Sequence, residues 1–398
     1  MLGRCVIVVV LGFAILPRAA RADVVGQIDT LVRTQFYAPA LLGPRGWDGA
    51  VRAARAELAR DPAHRVEILR KLVARLATSH TDYLPADDPR YAQLLSIFGG
   101  ILASAKDQCP DLSRLPALPV EVWDLGVWWT RLDGRWFVGG VLDDAPGQAA
   151  GLVLGDEVVS ANGRPFQPVG SLAGSGPVAL GVRRSRGGAL RTITVTPRRV
   201  QPQAAFRAAI AASARIVPHA GKRIAYVRVW SWAGADMQDA LEDAIDKLNA
   251  EHPDGFVIDL RDGWGGASPD YLRIFDPHVP VIAFVDRDGH GGRADRHIHV
   301  PAAVLINGGS RSGKEVVAYG IKKHHLATLV GERTGGAVVA GAAYCLDDGA
   351  VLYLAVSGVT IDGEVLEGKG VAPDRGVAFD VRYAAGRDPQ LAAALDAL

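Results

Sequence analysis

The sequence predicts a multidomain α/β protein, and three observations carry that prediction. In residues 223–398, apolar runs of strand length (Ile224–Val229, Phe256–Leu260, Val279–Val285, Ala302–Ile306 and Ala327–Val330) alternate with helical patterns such as Met237, Leu241, Ile245 and Leu248. Strands alternating with helices build a largely parallel sheet with covered faces. Residues 23–118 open instead with helical periodicity. Leu69, Leu72, Val73 and Leu76 fall at i, i+3, i+4 and i+7, with Arg70, Lys71 and Arg75 on the opposite face. Residues 119–200 break into short β-like runs at Gly126–Thr130, Trp136–Val141, Glu157–Ala161, Val178–Arg183 and Leu190–Thr196. Between this β region and the α/β region, residues 201–222 hold an alanine-rich stretch flanked by Pro202, Pro218 and Gly221, and read as a connector with a short helix.

The ends and the composition narrow the function. Residues 1–22 have Arg4, an apolar run Cys5–Leu16 and a small-x-small site at Ala20-Arg21-Ala22, the pattern of a cleavable secretory signal. The run is short for a bilayer span, an uncleaved anchor being the other reading. The expected location is therefore secreted or periplasmic, with no membrane span once the signal is removed. A formal net charge of +1 provides no basic field for nucleic acid. Cys109 and Cys345 remain after the signal; they are free to pair in an oxidising compartment, and their spacing settles nothing. No CxxC and no Walker pattern is present, so no metal and no cofactor is expected.

The chemistry gathers at Val304–Glu315. The strand Ala302–Ile306 runs into Asn307-Gly308-Gly309, and Val316, Val317, Gly320 and Ile321 then recur at helical spacing. Ser312 thus stands at a strand–turn–helix junction, beside unpaired helix N-terminal N–H groups that suit developing negative charge. Read alone, Ser310 or Ser312 serves equally as a helix N-cap. Other glycine-rich exits follow buried strands at Asp259-Leu260-Arg261-Asp262-Gly263-Trp264-Gly265-Gly266 and at Gly331-Glu332-Arg333-Thr334-Gly335-Gly336. Near the C-terminus lie Glu367-Gly368-Lys369-Gly370-Val371-Ala372-Pro373-Asp374 and Gly386-Arg387-Asp388-Pro389-Gln390-Leu391.

In this order the motifs resemble those of the C-terminal-processing and tricorn-type serine peptidases: "DLRxNxGG", "SxxE" after a strand, "GExTxG", "ExxGVxPD" and "GxDxQL". The resemblance implies a crotonase/ClpP-like α/β peptidase domain at 223–398. Asp144-Ala145-Pro146-Gly147 through Ala150-Gly151-Leu152, Gly155-Asp156 and Asn162-Gly163 resemble a bacterial PDZ domain over residues 119–200. That likeness implies capture of free substrate C-termini by strand addition, with Leu125-Gly126-Val127 as the carboxylate loop; a brace for neighbouring domains is the plainer reading.

Within the peptidase family, one branch uses a lysine twenty-five positions after the serine; counting on from Ser312 reaches Ala337. The tricorn branch uses a His from the N-terminal region within a Ser-His pair, and a Glu before "GVxPD". Ser79-His80 and Glu367 match that pattern. The resemblance therefore implies Ser312 as nucleophile, His80 as general base and acid, Glu367 polarising Ser79, and the N–H groups of Gly265 and Gly313 as oxyanion donors. Gly263 stands where the family usually has Asn, and Lys314 where it has a small residue. Lys314 is open to three readings: a solvated first-turn residue, a group crowding the pocket, or a nearby base. Glu364 competes with Glu367 but lacks the spacing. His290, Asp295, His297 and His299 lie close in sequence, and a polar loop facing solvent is a plainer reading of them than a metal site.

The expected function is a serine endopeptidase acting on proteins or peptides. The alternatives are a peptide-binding protein with a decayed site, and an esterase-like α/β hydrolase, which the absence of GxSxG disfavours.

Overall fold

A six-stranded sheet of order 215–219, 222–228, 255–259, 302–306, 328–331 and 375–376 forms the centre of the fold. All its neighbours run parallel except the first pair, which is an antiparallel hairpin. The protein is seen here in a computed structural model that describes residues 23–276 and 278–398. The expected signal at 1–22 lies outside the described residues.

Strands Gly255–Asp259 and Ala302–Ile306 are buried at every position, which explains their unbroken apolar runs: helices cover both faces. On one face lie the helices Pro202–Ser213, Ala235–Asn249 and Gly313–His324, whose Ile210, Met237, Leu241, Ile245, Val317 and Ile321 join the largest core. On the other, Ala393, Ala394 and Leu395 of the short helix Pro389–Leu395 pack on Ile224, Val257, Ala303 and Leu305. Each fully buried aliphatic side chain contributes roughly 1.5–3 kcal/mol.

Two stretches differ from their sequence reading. The expected connector 201–222 is built into this sheet: helix Pro202–Ser213 buries Phe206, Ala209 and Ile210, and Arg215–His219 is the sheet's edge strand. Its alanine content suits close helix packing rather than flexibility. The run Val279–Val285, expected to be a strand of the α/β region, forms no part of the main sheet. Ile282–Val285 pairs with Gly291–Ala294 in a separate hairpin, leaving Ile282 63% and Val285 74% exposed. Strand propensity does not specify which sheet a strand joins.

The β region has strands Val127–Leu132, Arg135–Val141, Glu157–Ala161, Val178–Arg183 and Arg191–Val195 in one antiparallel sheet, with the short helix Pro146–Ala149 and its own core around Val138, Val158, Leu180 and Val182. Residues 23–84 contribute the helices Val24–Gln35, Trp47–Arg60 and Arg65–Ala74 and the strand Asp82–Leu84. That strand pairs antiparallel with Val351–Ser357, which pairs with Ala340–Cys345. The N-terminal helices share one core with this hairpin, joining Ile28, Trp47 and Leu69 to Leu352 and Leu354. After helix Pro89–Ser104, Cys109 is bonded to Cys345. No helix among the described residues is long and apolar enough to cross a membrane.

Candidate active site

Ser312 precedes the helix Gly313–His324 and has φ 57° and ψ −128°, a conformation that costs a non-glycine residue about 1–3 kcal/mol. Backbone hydrogen bonds hold it there. Its N–H donates to the Ala337 carbonyl at 2.8 Å and to Glu315 Oε2 at 3.1 Å. Glu315 is fully buried and also accepts from Thr334 Oγ1 and from the N–H groups of Gly336 and Ala337, at 2.6–2.7 Å. Burial pushes this carboxyl up, and those hydrogen bonds oppose the shift. The Glu of "SxxE" thus fastens the serine turn to the "GExTxG" loop.

The turn Gly263–Gly266 approaches so closely that a Cβ on Gly265 would lie 2.6 Å from Ser312 Cβ and 2.8 Å from Gly313 N. Only glycine fits. The N–H groups of Gly265 and Gly313 donate to no backbone partner among the described residues.

His80, 5% exposed, follows the last N-terminal helix in a left-handed conformation (φ 52°). Its Nδ1 lies 2.9 Å from Ser79 Oγ, which donates to Glu367 Oε2 at 2.8 Å. Because the serine proton goes to the carboxylate, Ser79 Oγ accepts from His80 Nδ1–H, and Nε2 is left as the basic nitrogen. Glu367 also accepts from the N–H groups of Ser79 at 2.8 Å, Val338 at 2.8 Å and Val339 at 3.3 Å. Backbone 337–339 therefore clamps Ser312 at one end and Glu367 at the other. Burial first, and then the Arg311 guanidinium, push the imidazole down from 6.5 to about 3.

Ser312 and His80 line the same cavity of about 200 Å³, with Phe98, Trp264, Arg311 and Tyr353 among its walls. The Tyr353 ring lies 5.4 Å from the imidazole. Gly341 makes room for His80, since a Cβ there would lie 2.9 Å from His80 Cβ. Ser312 and His80 are not hydrogen-bonded to each other; a bond of that kind commonly tightens only in the complex with substrate.

The two departures flagged in the sequence meet in space. Lys314 is fully buried, and its Nζ donates to the carbonyls of Val229 at 2.7 Å, Trp230 at 3.3 Å and Asp262 at 2.6 Å. A Cβ on Gly263 would lie 1.8 Å from the Trp230 carbonyl oxygen and 3.2 Å from this ammonium. Lys314 is thus neither solvated nor in the Ser312 cavity. Burial lowers its pKa to about 7, while three carbonyls use its three donors. Removing it would leave buried acceptors unpaired, at about 1–3 kcal/mol each.

The other candidates lie outside the cavity. Glu364 accepts from Tyr319 on the surface. Arg261, Asp388 and Gln390 form a buried brace with Asp259, Arg261 pairing with both acids at 2.6–2.9 Å. His299 pairs with Asp295 and His290 with Asp286. At the loop Leu125-Gly126-Val127, the Leu125 and Gly126 N–H groups donate to the chain's own Asp124 Oδ1, at 2.6 and 3.1 Å. Sequence reasoning passed over Arg311 and Asp124. Both look like ordinary surface charges in the sequence, and neither stands at a motif position.

Comparison with known proteins shows what the chain is similar to. Residues 223–377 match the family model for Peptidase family S41. The carboxyl-terminal-processing protease of Synechocystis sp. is 29% identical over 144 residues, covering 34% of this chain and 34% of that protein. The chloroplastic carboxyl-terminal-processing peptidase 1 of Arabidopsis thaliana is 27% identical over 253 residues, covering 59% of this chain and 50% of that protein. The alignments thus span half or less of these relatives' length. Among solved structures, the photosystem II D1 C-terminal processing protease aligns with TM-score 0.49 and 19% identity, covering 92% of this chain and 97% of that one. The tricorn protease aligns with TM-score 0.49 and 15% identity, covering 94% of this chain and 36% of that one. The family whose model residues 223–377 match is the one that the motifs resemble.

Proposed function

We propose that the chain is a serine endopeptidase with Ser312 as nucleophile and His80 as base. The observation that carries this reading is the Glu367–Ser79–His80 hydrogen-bond chain ending in the cavity that Ser312 lines. Ser312 Oγ attacks the peptide carbonyl while His80 Nε2 takes its proton. The oxyanion of the tetrahedral intermediate rests on the N–H groups of Gly265 and Gly313. His80 returns the proton to the leaving amine as the C–N bond breaks, leaving an acyl-enzyme. Water, deprotonated by His80, then attacks the ester carbonyl, and His80 returns the proton to Ser312 Oγ as the C–Oγ bond breaks and the new C-terminus leaves. Glu367 acts through Ser79, whose hydroxyl holds the ring in the right tautomer and stabilises its charged form.

The β region is read as a PDZ-like domain that presents chain ends. Because Asp124 accepts from the carboxylate loop's own N–H groups, capture there requires that side chain to leave. A secreted or periplasmic location accords with the Cys109–Cys345 disulfide, since such bonds persist in oxidising compartments.

The test is covalent labelling with a fluorophosphonate alongside cleavage of a denatured protein substrate. Wild-type protein should label and cleave, and Ser312→Ala should do neither while keeping its folded circular dichroism. Unlabelled wild-type protein that still binds peptides would favour the decayed, peptide-binding reading.

A further inference from the structure

Arg311 stands immediately before the proposed nucleophile and lines the same cavity. Its guanidinium lies 5.8 Å from the centre of the Trp264 ring, and it acts electrostatically on His80 and Tyr353, two further walls. Among the described residues it has no carboxylate partner. The carboxylates that influence it, Glu315 and Asp82, are committed elsewhere: Glu315 to the serine turn and its neighbouring loop, Asp82 to Arg90 at 2.8 Å and Arg70 at 3.6 Å. Arg261, which is buried, is matched with Asp259 and Asp388. Arg311 is half-buried in the cavity wall, where a carboxylate that arrives would find an unpaired guanidinium.

We propose that Arg311 selects the substrate by pairing with a carboxylate carried by the peptide close to the scissile bond. The inference rests on the peptidase reading above. A planar guanidinium meets a carboxylate through two parallel N–H···O bonds, which fixes orientation as well as charge. The partner is either an acidic side chain flanking the bond or the substrate's own terminal carboxylate when the cut falls near the chain end. Pairing has a second effect: it offsets the positive charge facing His80, so the imidazole gains basicity at the moment a substrate is bound.

The test uses internally quenched peptides with Glu, Gln or Lys at each of three positions on either side of the bond, each made as free acid and as amide. For the wild-type protein, kcat/KM should favour a carboxylate over its neutral counterpart by about tenfold or more. A Glu/Gln preference at one position identifies a side chain; an acid/amide preference on short peptides identifies the terminus. Arg311→Met should bring the ratio to within about twofold of one, and Arg311→Lys should keep part of it. Equal use of charged and neutral peptides by wild-type protein would overturn the inference without any variant, and so would an undiminished ratio in Arg311→Met. Should no peptide be cleaved and no label taken up, the peptidase reading fails, and titration of the same peptides into Ser312→Ala protein judges Arg311 alone. Equal affinity for acid and neutral forms would then reject it.

Discussion

His80 is where residue-level physics departs most from expectation. An imidazole in water titrates near 6.5, so a base of that kind would lose activity as pH falls through that value. Here burial and Arg311 push it down to about 3. The neutral, proton-accepting form therefore persists well below pH 6.5, and kcat/KM, which reports the free enzyme, should stay level from pH 7.5 to about 5. A pH–rate series on a neutral peptide checks this; a midpoint near 6.5 would show that the ring is not held as described. The sign for stability is opposite in its consequence. Between 6.5 and about 3 the unfolded chain binds a proton at His80 that the folded chain refuses, so this residue's contribution to stability falls as pH falls through that window. Nothing in the Ser79-His80 dipeptide announces such a shift. Sequence singled out the residue, but the depression comes first from burial and then from Arg311, which lies far along the chain and was silent in the motifs.

At the scale of elements, the loop at Leu125–Val127 is a donor site that already has an occupant. Asp124 supplies a carboxylate oxygen to two of its N–H groups, as a peptide terminus would. Because Asp124 must leave first, wild-type protein should prefer the acid form of a C-terminal peptide over its amide only slightly. Asp124→Ala, made in the Ser312→Ala background, should bind the acid form better by about 1–3 kcal/mol, as charge-assisted bonds are regained. Calorimetric titration of the matched peptides measures this, and no acid preference in the double variant would remove chain-end capture from the β region. Elements were legible where a residue pattern meets one environment. The strands 255–259 and 302–306 and the helix 235–249 stand close to where their apolar runs put them. Where partners decide, sequence gave less: Pro202–Ser213 became a packed helix and Ile282–Val285 an outlying hairpin strand. Ser312, His80 and Glu367 were candidates in the sequence because each sits in a spaced motif. Lys314 was not, since its three carbonyl partners come from Val229, Trp230 and Asp262, remote in the chain.

For the whole molecule, Cys109–Cys345 ties the segment after helix Pro89–Ser104, which supplies Phe98 to the cavity, to the hairpin beside His80. Cys109→Ser/Cys345→Ser should lower unfolding free energy by about 2–5 kcal/mol, read from urea denaturation, and should reduce turnover by loosening that wall. An unchanged denaturation midpoint would show the link to be dispensable. The site as a whole joins distant parts of the chain: Ser79 and Glu367 are 288 residues apart, and His80 depends on a strand that pairs with Val351–Ser357. On a ribosome, or in a channel that feeds the chain out from its N-terminus, His80 emerges long before the hairpin that positions it. On the peptidase reading, a copy that stops before Glu367 lacks the group that holds Ser79 and, through it, His80, and should be inactive.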